Sequence, residues 1–143
     1  MKEQFLYSKK LILSLFLILF LLFFTLQITG CNNSTVNIYS GPFYDSIVAL
    51  KKPVLVDFGS TGCIPCKLME PILEDLKQNY SDRFETIFVH VQTEPEKIKE
   101  FGIQIIPTQI FFDANGKEIL KHVGFFSKEE ILQTFLDNKI PVE

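Results

Sequence analysis

Val54-Leu55-Val56-Asp57-Phe58-Gly59-Ser60-Thr61-Gly62-Cys63-Ile64-Pro65-Cys66-Lys67-Leu68-Met69-Glu70-Pro71-Ile72-Leu73 is the stretch on which the fold turns. Its first five residues form a short apolar, β-branched run, as in a strand covered on both faces. Asp57 is an anomaly in that run, a carboxylate where an apolar side chain is expected. Residues 59–62 read as a loop. Beyond it, the spacing of Leu68, Met69, Ile72, Leu73 and Leu76 predicts a helix to about Tyr80 with those five side chains on its buried stripe. Pro71 falls inside that helix, where it removes a backbone donor and predicts a kink.

A Cys-x-x-Cys pair placed between a buried strand and a helix has a chemical logic. Cys63 lies where the first helical N–H groups are unpaired and the helix dipole is positive, so a thiolate is stabilised there. Thiolates, not thiols, attack disulfides. Two intervening residues let the second sulfur reach the first across one turn. Cys63 is then the nucleophile that forms a mixed disulfide, and Cys66 resolves it. Run backwards, the same pair donates a disulfide. Pro65 stiffens the turn, and Lys67 adds positive charge nearby. A zinc half-site is an alternative, but zinc needs two further ligands and only His90 and His122 are on offer. Each reads as an ordinary sheet residue. An inert structural disulfide is the other alternative. The expectation is no metal and no cofactor beyond the Cys63–Cys66 pair.

Outward from this stretch, residues 43–51 place Phe43, Ile47 and Leu50 at helical spacing, and Pro53 stops the helix. Residues 86–91 predict a second buried strand, 95–101 a short helix closed by Gly102, and 108–112 a third strand. Asn115-Gly116, within 113–117, is a strong hairpin-turn signal, and 118–123 is the antiparallel return. Ser127 and Glu130 form a capping box opening a last helix with Ile131, Leu132, Phe135 and Leu136 as its apolar face. The order α, β, α, β, α, β, β, α predicts an α/β fold with a central mixed sheet and helices on both faces.

The N-terminus reads as an address. Lys2, Lys9 and Lys10 outweigh Glu3, and residues 11–26 are apolar apart from Ser14 and Thr25. That length fits a signal-peptide core and is short for a transmembrane helix. Ile28-Thr29-Gly30-Cys31 follows, and it resembles the lipobox of bacterial lipoprotein precursors. The resemblance implies lipid attachment at Cys31 and cleavage just before it. The expected organisation is a signal peptide over 1–30, a polar tether over 31–41 with a short strand at 36–39, and a folded domain over 42–143. An uncleaved signal anchor is the alternative; both put the domain outside the cytoplasm, held at the membrane. Loss of residues 1–30 leaves 11 basic against 16 acidic side chains. That balance favours solubility, and no basic run suggests nucleic-acid binding.

Around the cysteine pair, 54–58 followed by Cys63-Ile64-Pro65-Cys66-Lys67 and Glu70-Pro71-Ile72-Leu73 resembles the active-site region of the thioredoxin family. Phe101-Gly102-Ile103-Gln104-Ile105-Ile106-Pro107-Thr108 and Val123-Gly124 resemble later thioredoxin segments, so the likeness runs from about 43 to 138. It implies a thioredoxin-like fold and a thiol–disulfide oxidoreductase. It makes Pro107 a cis-proline against the cysteines and has Ile106 offer backbone groups to an extended substrate. Ile64 and Pro65 join them on the substrate-binding surface. Asp57 matches the family's buried carboxylate; burial raises a carboxyl pKa, so Asp57 could accept the proton of Cys66. Three departures bear on mechanism. Gly62 and Gly59 stand where the family commonly has Trp, Ile64 alters the dipeptide that tunes redox poise, and Phe88 takes the place of a lysine near the buried carboxylate.

The function these readings favour is a membrane-tethered, extracytoplasmic reductase of protein disulfides, fed by a membrane thiol carrier and working as a monomer. A disulfide-forming oxidase or isomerase is the alternative of the same class, though such oxidases carry a large helical insertion for which the chain has no room. A non-catalytic binding module or redox sensor is the alternative of another class.

Overall fold

The chain divides into two units, residues 1–35 and 36–143. The computed structural model describes residues 12, 14–20 and 38–142; the lipobox, Cys31 and the start of the tether lie outside them. In the first unit, 14–20 are helical, and among the described residues no helix is long and apolar enough to cross a membrane.

The second unit runs α1 (Pro42–Ala49), β1 (Val54–Gly59), α2 (Ile64–Asn79), β2 (Glu85–His90), α3 (Pro95–Glu100), β3 (Thr108–Phe112), β4 (Glu118–Val123) and α4 (Lys128–Asp137). The four strands lie in the order β2-β1-β3-β4. β1 pairs parallel with β2 and antiparallel with β3, and β3 pairs antiparallel with β4. This is the mixed sheet expected from the element order. β1 is central and every one of its residues is buried, which is why its sequence lacks a polar alternation.

Side-chain alternation sorts the core into two layers. Val54, Val56 and Phe58 join Val89, Ile110 and Phe112 on one face, packed with Tyr44 and Ile47 of α1 and with Phe101 just after α3. Leu55 and Phe111 lie on the other face, packed with Met69, Leu73 and Leu76 of α2 and with Ile131 and Phe135 of α4. Asp57 therefore belongs by register to the α2/α4 face. Tyr39, ahead of α1, is part of the first layer and stacks on Phe101 with ring centroids 4.6 Å apart.

Two expectations for the helices are corrected. Leu68 is 57% exposed, because the buried stripe of α2 is Cys66, Met69, Leu73 and Leu76, one residue-step round from Leu68. Leu136 is likewise exposed, with Ile131 and Phe135 facing the sheet. α2 continues unbroken through Pro71. Residues 38 and 39 are not in a strand.

The connections follow their local chemistry. Asp113 Oδ1 accepts from the N–H groups of Asn115 and Lys117, and Gly116 takes φ +80°. A side chain at 116 would also collide with α1: its Cβ would stand 2.5 Å from Val48 Cγ2. At α4, Ser127 Oγ accepts from Glu130 N at 3.3 Å while Glu130 Oε2 accepts from Ser127 N at 2.9 Å, the reciprocal capping box. Ser127→Ala should lower unfolding stability by about 1 kcal/mol. Urea denaturation would show this as a lower midpoint at unchanged slope, and an unaltered midpoint would mean the cap contributes nothing.

Candidate active site

β1 leads out of the sheet at Gly59, and a short loop delivers the chain to the start of α2. Cys63 is the N-cap of that helix, in extended backbone conformation at φ −92° and ψ 119°. Its Sγ accepts the backbone N–H of Cys66 at 3.3 Å. The sulfur thus sits where an N-capping oxygen ordinarily does, against a helix terminus that favours negative charge. Cys63 and Cys66 are joined as a disulfide with their Cα atoms 5.2 Å apart. The two differ in access: Cys63 is half-buried, whereas Cys66 is only 2% exposed. An external sulfur can approach the first and not the second.

The segment before β3 forms the opposing wall. The Ile106–Pro107 peptide bond is cis, as the resemblance implied. The Ile106 carbonyl oxygen lies 3.9 Å from Cys63 Sγ. The wall is tied at both ends: Gly124 N donates to Pro107 O at 2.8 Å, and Thr108 Oγ1 donates to Ile105 O at 2.6 Å. Cys63, Cys66, Ile106 and Pro107 are thereby brought together, with Pro65 exposed in the first turn of α2. Ile64 is 75% exposed and Ile105 is 61% exposed, and Val123 and Phe125 flank the Gly124 that bonds Pro107. In the sequence, Ile105, Val123 and Phe125 carry no signal for a site of their own beyond lying in or next to the motifs at 101–108 and 123–124.

Asp57 lies beneath the pair and is fully buried. In register it stands beside Phe88 on β2 and Gln109 on β3. Gln109 Nε2 donates to Asp57 Oδ1 at 2.6 Å. Asp57 Oδ2 has no hydrogen-bond partner among the described residues. A Cβ on Gly59 would stand 3.4 Å from that oxygen and 3.4 Å from Cys66 Cβ, so carboxylate and cysteine flank the same small space. Burial pushes the Asp57 carboxyl up to about 6, against the opposing pull of the Gln109 hydrogen bond. The same Cβ would lie 2.9 Å from Phe88 Cε2. Gly59 and Phe88, two separate departures in the sequence, are one feature in space: the phenyl ring occupies room that a side chain at 59 would need.

His90 stands beside Gly59 in register, with Nδ1 buried and without a partner among the described residues. His122, on β4, stacks on Phe126 at 4.0 Å. Neither belongs to a group that could hold a metal ion, and no such group occurs among the described residues. Gln109 is the site residue with no signal in the sequence, since a single glutamine in an apolar run belongs to no motif.

The family model described as Thioredoxin matches residues 35–137. A thioredoxin of Acidithiobacillus ferridurans is 37% identical over 98 residues, covering 68% of this chain and 89% of that protein. A bifunctional thioredoxin reductase/thioredoxin of Mycobacterium leprae is 33% identical over 103 residues. That match covers 72% of this chain, which spans only 22% of the bifunctional protein. Among solved structures, the thioredoxin NaTrxh of Nicotiana alata is similar with a TM-score of 0.57 and 33% identity, covering 66% of this chain and 80% of that one.

Proposed function

The chain belongs to the thioredoxin family of thiol–disulfide oxidoreductases, and from that premise we propose that it is a reductase of protein disulfides, held outside the bacterial cytoplasm by lipid on Cys31. Its redox group is its own Cys63–Cys66 pair, and no further cofactor is needed.

The observation that carries the catalytic reading is the unequal access of the two sulfurs at one helix terminus. In the reduced protein, the Cys63 thiolate is held by the Cys66 N–H and attacks one sulfur of a substrate disulfide. A bond forms between Cys63 Sγ and that sulfur, and the other substrate sulfur leaves as a thiolate. Ile106 offers its backbone to the extended substrate beside Pro107, and Ile64 and Pro65 supply apolar surface. Asp57 then takes the Cys66 proton, and the Cys66 thiolate attacks Cys63 Sγ. The second substrate sulfur leaves, the substrate has gained two electrons, and the pair is a disulfide. Restoring it takes two electrons and two protons, supplied in this reading by a dithiol carrier in the membrane.

The reducing direction is supported by the shortness of the connection between β2 and β3, which holds only the six-residue α3 and no inserted helical subdomain. The tether is supported by Ile28-Thr29-Gly30-Cys31, one residue beyond the apolar segment 11–26; in this reading 1–30 is the signal peptide and 31–41 the tether ahead of the domain. Acyl chains hold firmly, at about 0.8 kcal/mol per buried methylene.

Equilibration with dithiothreitol or glutathione buffers gives the potential of the Cys63–Cys66 couple. A value near the thioredoxin end, about −270 mV, is expected; one near about −120 mV would make the protein a disulfide donor instead. Fatty-acid labelling of the full chain in a bacterial host tests the tether. Label on the wild type and none on Cys31→Ser is expected, and equal labelling would remove Cys31 as the lipid site.

A further inference from the structure

Across the face of the sheet under α2 and α4, one row of side chains runs Phe88, Asp57, Gln109, His122 from β2 to β4. Gln109 is fully buried in it. Its Nε2 is spent on Asp57 Oδ1, and its Oε1 has no partner among the described residues. Burying a primary amide with one end unsatisfied costs stability, and a Leu or Met there would join Leu55 and Phe111 in an apolar layer. The residue is therefore poorly explained as packing.

The surroundings of Asp57 show what the amide supplies. α2 presents the Cys66 side. β2 presents Phe88, with His90 at the strand end, and Glu70, Glu74 and Lys77 of α2 line the groove on which Phe88 opens. β3 presents Gln109, β4 presents His122 beyond it, and α4 turns Ile131 and Phe135 to the layer. None of the charged or titratable groups among them hydrogen-bonds Asp57; Gln109 is its one donor among the described residues.

We propose that Gln109 is a positioning residue for proton transfer: its amide clamps Oδ1, leaves Oδ2 directed to the Gly59 space beside Cys66, and favours the ionised carboxylate that must receive the Cys66 proton. The inference rests on the reading of Asp57 as the proton acceptor. A hydrogen bond to a charged group is among the stronger kinds, so its loss should move the Asp57 titration upward by about one to two pH units. The sign follows from which form is stabilised: the N–H favours the carboxylate, so removing it raises the carboxyl above its value of about 6. Resolution at pH 7 should then slow by about two- to tenfold, with mixed-disulfide formation unchanged.

The reduced full chain is mixed with 5,5′-dithiobis(2-nitrobenzoate) from pH 5 to 9. Each turnover releases one chromophoric thiolate on formation and a second on resolution. In parallel, infrared difference spectra against Asp57→Asn follow the carboxylic C=O band. For Gln109→Leu, the expected result is an alkaline shift of the second release alone, and a C=O band that titrates higher in pH and absorbs at higher frequency. Wild-type values for both overturn the proposal. Gln109→Met, matched in length, replaces the leucine variant should that fail to fold; failure of both would make Gln109 a folding residue and overturn it equally. If Asp57→Ala keeps the wild-type resolution profile, the proton-acceptor reading falls on its own, and the infrared titration still decides whether Gln109 controls the carboxyl.

Discussion

Cys66→Ser should turn the protein into a trap. With Cys63 intact, the variant still attacks a substrate disulfide, but no second thiol breaks the mixed disulfide. Insulin reduction falls to the uncatalysed background, and one substrate chain per protein accumulates as a covalent adduct on non-reducing gels. Cys63→Ser should be equally inactive and should accumulate nothing, because the remaining sulfur at Cys66 is only 2% exposed. The contrast between the two variants is the test. Loss of either thiol abolishes turnover whatever the roles, but only the difference in access predicts which variant is trapped. Adduct on Cys63→Ser instead of Cys66→Ser would reverse the assignment. The asymmetry has a plain origin: Cys63 caps the helix from outside its first turn, while Cys66 lies on the stripe with Met69, Leu73 and Leu76 that packs on the sheet.

Asp57→Asn should stabilise the protein at neutral pH. The buried carboxyl is raised from 3.8 to about 6 in the folded chain, so the native state holds the proton more tightly than the unfolded one. Below 3.8 both states are protonated, and the carboxyl costs nothing beyond its burial as a neutral group. As pH rises from 3.8 to about 6, the unfolded chain ionises freely and the folded one resists, so stability falls across that window and stays reduced above it. The accumulated loss at pH 7 is about 3 kcal/mol. Asparagine retains an oxygen for the Gln109 amide and removes the ionisation, so most of that loss should be recovered. For a domain of this size, that corresponds to about 10–20 °C in Tm. Denaturation at pH 4 and pH 7 checks the sign: the gain should be large at pH 7 and shrink towards zero at pH 4. An equal gain at both would show that shape, not charge, is responsible. Under the proposed role of Asp57 as proton acceptor, this loss of stability is what keeping the base in the core costs.

Much of this was written in short-range patterns. The Pro53 stop, the β-branched run 54–58, the Asn115-Gly116 turn and the Ser127–Glu130 box are local signals, and the elements they imply, β3 and β4 included, lie where their spacing put them. Cys63-x-x-Cys66 at a strand-to-helix junction was likewise readable, since it is a chemical requirement expressed within a few residues, whereas the part played by Ile106-Pro107-Thr108 was legible only through its resemblance to the thioredoxin segment. Leu68 and Leu136 were not, because helical periodicity defines an apolar arc wider than the strip a sheet covers. Only the seating of the helix selects Met69 and Phe135 over their neighbours.

Local backbone preference and the 2.0 and 3.6 periods of side-chain direction thus suffice for the element order, the redox pair and the buried strand carrying an acid. What surrounds that acid is settled by long-range packing. Gln109 is 52 residues from Asp57 along the chain, and Phe88 meets Gly59 only across the β1–β2 ladder. Strand register brings these side chains together, and register is set by how two apolar layers close on both faces of one sheet, a property that no window of the sequence contains.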